Sequence, residues 1–261
     1  SPMRSQIAIT RGGVTKASTG KAPPDGGVLA RRVNGSFTIS LHRKVSEMAL
    51  IQLLRSLRAL DPEFRMTLDT TDRRHEDLTR RQACHRIALQ AIGIIERANE
   101  SLFMSNIELF SEAQSPSMLR SENLLKLASL DLAHCDAPSA LMKASAADIA
   151  NLVSVGQNRS MRLYYLAIPS DHVWPSPGPR PGTPLEDITG SPPWRWLSII
   201  YEAALAIQAP LFQHGFLRLH GGTMRPFQRI IYPITPAGDR PSNYRVLTTA
   251  ELMESPDLII I

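Results

Sequence analysis

His172, His214 and His220 are the residues whose type could hold a metal or a haem. His214 and His220 share the parity of Phe216 and Arg218 in one run, so a strand would point all four to one side. His172 lies outside that run, and a zinc or haem site needs further ligands in a definite geometry. We therefore interpret these histidines as hydrogen-bonded or solvent-facing, and we predict no metal and no cofactor.

Nucleophilic and phosphate-binding chemistry lacks its usual patterns in this sequence. Cys84 falls in a predicted helix and Cys135 precedes Asp136 in a predicted turn, and neither has a neighbour that would clearly lower the pKa of its thiol. No serine stands in a GxSxG pattern, and neither GxxxxGK followed by Ser or Thr nor GxGxxG occurs. These features favour a protein without catalytic activity.

The same two cysteines indicate a compartment. They lie far apart without CxxC spacing, which is unlike a disulfide framework or a zinc site and typical of a reducing environment. No run of about 18 apolar residues occurs, so no membrane span is predicted. Residues 1–44 contain no apolar segment of the secretory type. We expect a cytoplasmic protein.

Positive charge is concentrated at the start of the chain. Residues 1–44 hold eight Lys or Arg and one acid, Asp25, whereas the remaining residues hold 21 basic and 23 acidic groups. Residues 1–35 are rich in Gly, Pro, Ser, Thr and Lys, and we predict that they form a disordered basic arm. Such an arm can contact nucleic acid or be a solvated leader, and the sequence leaves both open.

The next region, residues 36–135, is predicted to be mainly helical. Residues 36–41 alternate and could form a short strand, and leucines at three- and four-residue steps predict a helix over 45–60 with Ser46 as its N-cap. A longer helix is predicted over 72–111, and shorter ones over 119–132 and 140–155. The long helix carries a heptad-like seam of small and apolar residues: Cys84, Ala88, Ala91, Ile95, Ala98 and Leu102. That seam fits either a homodimer contact or core packing within one chain.

The charged start of the long predicted helix has two interpretations. Five arginines at positions 73, 74, 80, 81 and 86 could bind phosphates of a nucleic acid. Glu76 and Asp77 stand three and four residues after Arg73, which instead suggests ion pairs along the helix.

The best-defined unit of the sequence is the stretch 194–252. Trp196, Ile200, Ala203 and Ile207 recur at helical spacing after two prolines, and Pro210 ends the pattern. Three apolar runs separated by glycine- and proline-containing turns then predict a meander of strands. Before the helix, residues 161–168 are predicted to form a strand, 174–184 a proline-rich loop and 185–188 one helical turn.

This order of elements resembles the C-terminal part of a PAS domain, in particular the divergent PAS-like proteins of alphaproteobacteria. The residues that carry the resemblance are 162–168, 183–190, 196–212, 215–239 and 244–252, with Tyr232-Pro233-Ile234 matching the element that closes the second long strand. The flavin-binding cysteine motif of light-sensing relatives is absent, and so is the histidine that haem-binding relatives place in the helix.

The resemblance implies an α+β fold, with a PAS-like antiparallel sheet and one main helix over 136–256 that follow an α-helical N-terminal region. It implies a sensory or scaffolding module that binds a small ligand or a protein partner and relays the signal through its N-terminal helices. The residues expected to line an apolar cavity, or to be plain core, are Trp196, Ile200, Phe216 and Tyr232. The alternative function is a regulatory protein that binds nucleic acid through the basic arm.

Overall fold

The computed structural model of the chain describes residues 5–16, 21–33, 35–99, 103–109, 152–169, 180–187, 192–218, 222–234 and 244–253. The chain divides into two compact units, Ser1–Ile95 and Glu96–Ile261. Both combine strands with helices, so the α+β class is confirmed. The predicted boundaries near residues 35 and 135 do not coincide with this division. Among the described helices, none has the length and apolar character needed to cross a membrane.

Described residues of the first unit form one six-stranded sheet. Its strands are β1 Ser5–Thr10, β2 Gly13–Lys16, β3 Val28–Val33, β4 Ser36–Leu41, β5 Arg65–Asp69 and β6 Arg74–Thr79. They are ordered β2-β1-β3-β4-β5-β6, and neighbours are antiparallel apart from the parallel pair β4 and β5. A parallel pair requires a crossover connection, which is supplied here by helix α1, Glu47–Leu57.

The predicted disordered arm is wrong, and so is the predicted mainly helical character of the region that follows it, although the possible strand at 36–41 does occur. Strands β1, β2 and β3 all lie within residues 1–35 and pair with one another. Ile9, Val28 and Leu29 are almost completely buried. Averaged composition hid these short apolar segments, because the glycines and prolines that dominate the stretch belong to the turns between strands.

Helix α1 agrees with the prediction over 45–60. Ser46 is its N-cap, in an extended conformation, and its side chain accepts a hydrogen bond from the Ala49 backbone N–H at 3.2 Å. The leucine stripe predicted to face the core is buried, including Leu50, Leu53 and Leu54.

The helix predicted over 72–111 is shorter in the structure, because residues at both ends of the predicted range form strands. Helix α2 spans Arg80–Ala98, preceded by β6 and followed by β7, Phe103–Leu109. Residues 74–79 pair with β5, where Arg74 also forms an ion pair with Asp69 at 3.2 Å. Backbone pairing to neighbouring strands overrides the helical pattern at both ends. The five arginines therefore do not lie along one helix, and Arg80 is buried and donates to the carbonyl oxygens of Arg58 and Leu60.

The heptad-like seam of α2 is packed within a single copy of the chain. Cys84, Ala88, Ala91 and Ile95 have no exposed surface. Ala98 is exposed, and Leu102 lies outside the described residues. Burial raises the pKa of the Cys84 thiol to about 12, which makes it unreactive at neutral pH. These four residues favour core packing over the predicted dimer seam.

The described part of the second unit forms one antiparallel sheet of six strands and one long helix. Its remaining strands are β8 Val153–Gln157, β9 Leu163–Ala167, β10 Leu211–Arg218, β11 Met224–Ile234 and β12 Arg245–Leu252. The sheet is ordered β7-β10-β11-β12-β8-β9, and helix α3, Pro192–Ile207, packs on β11 and β12. A short 3-10 turn, Leu185–Asp187, precedes α3.

Most predictions for this unit are confirmed. The strand near 161–168, the turn at 185–188, the main helix and the three-strand meander all occur. Residues 153–155, predicted as the end of a helix, lie instead in strand β8, where Val153, Val155 and their neighbours are buried on both faces. The helix predicted over 119–132 and most of the loop over 174–184 lie outside the described residues.

A histidine fastens the loop before β3 to the turn before α1. Nδ1 of His42 accepts hydrogen bonds from the backbone N–H groups of Gly26 and Lys44, each at 3.1 Å. Its ring hydrogen is therefore on Nε2, which lies 3.5 Å from Asp25 Oδ1. The Ser46 backbone N–H donates to the Gly26 carbonyl oxygen at 2.9 Å. These bonds hold the β3 loop against the start of α1.

We expect Gly27→Ala to lower the free energy of unfolding of the first unit by about 1–3 kcal/mol. A Cβ at this position would lie 2.6 Å from the Ile9 carbonyl oxygen and 2.7 Å from Pro24 Cγ. Gly12→Ala is the matched control, because its Cβ would meet only Thr10 Oγ1 at 3.8 Å. Hydrogen exchange of peptides covering 24–42 measures the effect. Equal protection in the two variants would contradict the prediction.

Candidate functional site

The register of the second sheet assigns its residues to two faces. Gly215 and Phe227 are directly opposite on β10 and β11, and the Phe227 ring contacts Trp196 of α3 with centroids 5.7 Å apart. The odd-numbered residues of β10 and β11 therefore face α3, and we call this side the inner face. Phe216 and Tyr232 have even numbers and lie on the opposite side.

The four residues predicted to line one cavity consequently do not line one site. Trp196 and Ile200 are buried in α3, and the Trp196 ring meets Phe227 edge-on at 74°. Tyr232 is buried on the outer face of the sheet, and Phe216 is half-buried there. The sequence correctly marks all four as apolar and structured, but strand parity separates them into two pairs.

Two buried polar side chains stand side by side at the centre of the inner face. Gln213 on β10 and Arg229 on β11 are direct cross-strand partners, which places their Cβ atoms about 5 Å apart. Their side chains are 0 % and 5 % exposed. Oε1 of Gln213 and Nε of Arg229 have no hydrogen-bond partner. Each residue of this polar pair thus retains an unmet hydrogen bond in a buried place.

Two tyrosines flank the arginine of the polar pair. Arg229 Nη1 donates to Tyr201 Oη of α3 at 3.5 Å. The rings of Tyr201 and Tyr165 meet at 88° with centroids 6.3 Å apart. Burial raises the pKa of Tyr165 well above its usual value, and the nearby phenol of Tyr201 raises it further, so the Tyr165 hydroxyl keeps its proton.

The glutamine of the polar pair is oriented by a second cluster. Gln213 Nε2 donates to Ser105 Oγ on β7 at 3.2 Å. The Ser105 backbone N–H and hydroxyl both donate to Glu96 Oε1 in the last turn of α2, at 2.8 and 3.1 Å. A chain of hydrogen bonds therefore leads from the end of α2 to the inner face.

The charge of Arg229 is not balanced by an acid within the described residues. No carboxylate of that part of the chain lies within ion-pair distance of its guanidinium, whose hydrogen-bond partner is a neutral phenol. A guanidinium keeps its proton even when buried. The site therefore holds a fixed positive charge and an amide oxygen that accepts hydrogen bonds, which suits the binding of an anion that also carries a donor.

The described residues offer less support for a metal site or for a histidine-based site. They contain no group of three or more His, Cys, Asp and Glu side chains that could hold a metal ion. His214 stacks on Phe212 and lies 3.7 Å from Glu108 Oε1 on the outer face, about two-fifths exposed. This agrees with the predicted hydrogen-bonded or solvent-facing role, whereas His172 and His220 lie outside the described residues.

Comparisons with protein-family models, with curated proteins and with solved structures find no match for this chain. A role is therefore inferred from the chemistry of its own residues.

Sequence reasoning missed the polar pair and its tyrosines. A signal was present, because Gln228 and Arg229 interrupt the apolar run of β11 between Phe227 and Ile230. A polar residue inside a buried strand needs a partner, so the amino-acid sequence alone could have marked Arg229 as a candidate. Gln213 carried no comparable signal, since its neighbours are consistent with an alternating, half-exposed strand.

The protonation of Glu96 generates a prediction about pH. Burial raises the pKa of this carboxyl above its usual value near 4.5, although the hydrogen bonds from Ser105 oppose the shift. A raised pKa means that the folded state binds the proton more tightly. The resulting stabilisation is present at pH values below the pKa that Glu96 has in the unfolded state. It is lost as the pH rises through the pKa that Glu96 has in the folded state.

We therefore expect Glu96→Gln to remove part of the decline in unfolding free energy that the wild type shows as the pH rises above about 4.5. Tryptophan fluorescence monitors the transition, because Trp174, Trp194 and Trp196 all lie in the second unit. Glu108→Gln, on the outer face of β7, is the control. A Glu96→Gln protein with the wild-type pH profile would show that this carboxyl is not responsible.

Proposed function

We propose that residues 96–261 form a PAS-like sensory module that binds a small ligand between α3 and the inner face. The observation that carries the proposal is the polar pair, in which Gln213 Oε1 and Arg229 Nε are buried without hydrogen-bond partners. Unpaired buried polar atoms destabilise a protein, so their presence side by side favours a group that joins them. The module binds rather than catalyses.

The topology of the unit supports this proposal. The resemblance to PAS domains rests on the strand at 162–168, the turn at 183–190, the main helix and the three strands that follow it, whereas the signatures of the first two PAS strands are not clear before residue 161. Strands β8 and β9 precede α3 and join the sheet beside β12. One helix layer therefore covers one face of an antiparallel sheet in which β8 and β9 precede the helix and three strands follow it, and this arrangement supports a PAS-like domain, to which β7 adds a sixth strand beside β10.

The hydrogen-bond chain supports a relay through the preceding helix. Glu96 lies in the last turn of α2, Ser105 bridges it to Gln213, and Gln213 lies beside Arg229. A ligand that bonds to the Gln213 amide changes the orientation of the group to which Ser105 is bonded. The last turn of α2 then responds, which corresponds to the predicted signalling through an N-terminal helix.

The cellular location belongs to the same proposal, whereas the expected homodimer does not. We place the protein in the cytoplasm, because a sequence with two cysteines in unrelated contexts is typical of a reducing compartment. A homodimer through the α2 seam is not included, since Cys84, Ala88, Ala91 and Ile95 are buried within one copy.

Ligand binding is tested by screening a chemically broad set of metabolites. Each compound is examined for a rise in the unfolding temperature of the second unit, which tryptophan fluorescence monitors. We expect at least one compound to stabilise the wild type, because a ligand that binds only the folded state adds its binding free energy to stability. The absence of any stabilising compound, together with the absence of a co-purified molecule in native mass spectrometry, would contradict the proposal.

The relay is tested with Ser105→Ala, which removes the hydroxyl shared by Glu96 and Gln213. We expect the variant to bind the ligand within a few-fold of wild type but to lose the ligand-induced change in hydrogen exchange over 90–98. Ser154→Ala is the matched control, because Ser154 is a buried serine of the same sheet that lies on the outer face, opposite Leu247. A ligand response in Ser105→Ala equal to that of the control would refute the relay.

A second candidate function is nucleic-acid binding, now by the first unit as a folded body. Residues 1–95 hold 16 Lys or Arg against 8 Asp or Glu, and residues 96–261 hold 13 against 16. Exposed basic residues of the first unit include Arg11, Lys21, Arg32, Arg43 and Lys44. Positive charge of this density attracts phosphates without reading sequence.

The double variant Arg43→Glu/Lys44→Glu tests this candidate. We expect it to weaken duplex DNA binding and to reduce the slope of log affinity against log salt by up to about 2. The control Arg180→Glu/Arg218→Glu makes the same charge change in the second unit, where both residues are exposed. Fluorescence anisotropy measures the affinity. An affinity for DNA that does not depend on the salt concentration, or that falls equally in both variants, would exclude a specific basic surface on the first unit.

A further inference from the structure

The buried charge of Arg229 selects the ligand's chemistry. The side chain is 5 % exposed, its Nε has no partner, and its Nη1 reaches only a phenol oxygen at 3.5 Å. A guanidinium removed from water without a paired anion is strongly unfavourable. A ligand with an anionic group compensates this charge, whereas a neutral or cationic ligand leaves it unpaired.

The number of cations near the site distinguishes between classes of anion. Along the inner face of β11 the next arginine is Arg225, four residues away and therefore about 13 Å along the strand. The inner-face positions of the other described strands of this sheet hold no Lys or Arg, so within that part of the chain Arg229 offers one positive charge, which balances a monocarboxylate but not a phosphate dianion. The edge of its guanidinium that carries Nε presents N–H groups in the geometry that suits the two oxygens of a carboxylate.

Gln213 adds a second requirement. Its Nε2 is engaged by Ser105 Oγ at 3.2 Å, which holds the amide in one orientation and leaves Oε1 without a donor. Gln213 and Arg229 are direct cross-strand partners with Cβ atoms about 5 Å apart, so one small ligand that carries a donor close to its carboxylate can contact both side chains. A donor on the carbon next to the carboxylate meets this spacing.

The charge of that donor is also restricted. An ammonium group would bring a second positive charge beside Arg229, where Gln213 offers an amide oxygen, Tyr201 offers a phenol, and no carboxylate of the described residues lies within ion-pair distance of the guanidinium. A hydroxyl supplies the hydrogen without the charge. Phe227 lies on the inner face two residues before Arg229 and packs on Trp196, and this apolar neighbourhood suits a short hydrocarbon tail.

On the basis of the proposed function, we propose that the ligand is a small 2-hydroxy monocarboxylate, whose carboxylate pairs with Arg229 and whose hydroxyl donates to Gln213 Oε1.

The test compares four probes by isothermal titration with the 261-residue chain: 2-hydroxybutyrate, 2-aminobutyrate, butyrate and inorganic phosphate. We expect wild type to bind 2-hydroxybutyrate about tenfold more tightly than butyrate, which is the typical effect of one buried hydrogen bond. Tighter binding of 2-aminobutyrate or of phosphate would overturn the proposed class. Equal binding of 2-hydroxybutyrate and butyrate would overturn the role of the hydroxyl.

Two variants assign the contacts. Gln213→Leu should bind both butyrates with nearly equal affinity, whereas Gln228→Leu, its matched control, should keep the wild-type preference. Gln228 is the adjacent buried glutamine of β11 and also has an unpartnered Oε1, but it lies on the outer face. A loss of preference in Gln228→Leu rather than in Gln213→Leu would overturn the assignment.

Arg229→Met should abolish binding of all the carboxylates and raise the unfolding temperature of the unliganded protein, because an apolar side chain replaces an unpaired buried charge. Arg225→Met is the control and should do neither.

The broad metabolite screen distinguishes a wrong ligand class from the absence of a ligand site. An Arg229-dependent ligand of another class would refute the hydroxy acid and leave the sensory site standing, whereas no ligand of any class would refute both.

Discussion

Helix α3 is buried on all sides, and much of the second unit follows from that burial. Every residue from Trp196 to Ile207 is buried, although the helix includes Ser198, Tyr201 and Glu202. Each large apolar side chain removed from water contributes about 1.5–3 kcal/mol, so the helix is strongly held against the sheet. Its polar residues must then find partners inside the protein, which brings Tyr201 to Arg229 and Tyr165.

The polar pair shows how that packing produces a site rather than only a core. Arg229 and Gln213 lie where apolar residues would be more stable, and each keeps one atom without a partner. Their neighbours nevertheless hold them in defined positions, through Tyr201 on one side and through Ser105 and Glu96 on the other. A preorganised arrangement of this kind loses little conformational entropy when a ligand completes it. Stability is reduced locally in exchange for a binding site whose geometry is already set.

Local patterns in the sequence were sufficient wherever a segment carried its own periodicity. The leucine stripe of α1, the Ser46 cap, the helix after Pro193 and the three strands after Pro210 were all predicted from spacing and turn residues. The prediction was wrong where partners distant in sequence decide the conformation. Residues 5–10 and 28–33 form strands because they pair with each other, and residues 103–109 form a strand because β10 lies beside them. A composition rich in Gly and Pro, or a heptad pattern extended too far, carries no information about such partners.

The candidate site could not be predicted from the sequence for the same reason, because it depends on residues that are distant in sequence. The sequence by itself determined that 194–252 contains one amphipathic helix followed by three strands, since helical and strand periods are properties of neighbouring residues. It also contained a signal that was not used, because Arg229 is a charge inside an apolar run. Only the tertiary structure decided that Trp196 and Tyr232 lie on opposite sides of a sheet, and that Gln213 stands opposite Arg229. Strand register sets both facts, and register depends on hydrogen bonds between segments that the linear pattern does not connect.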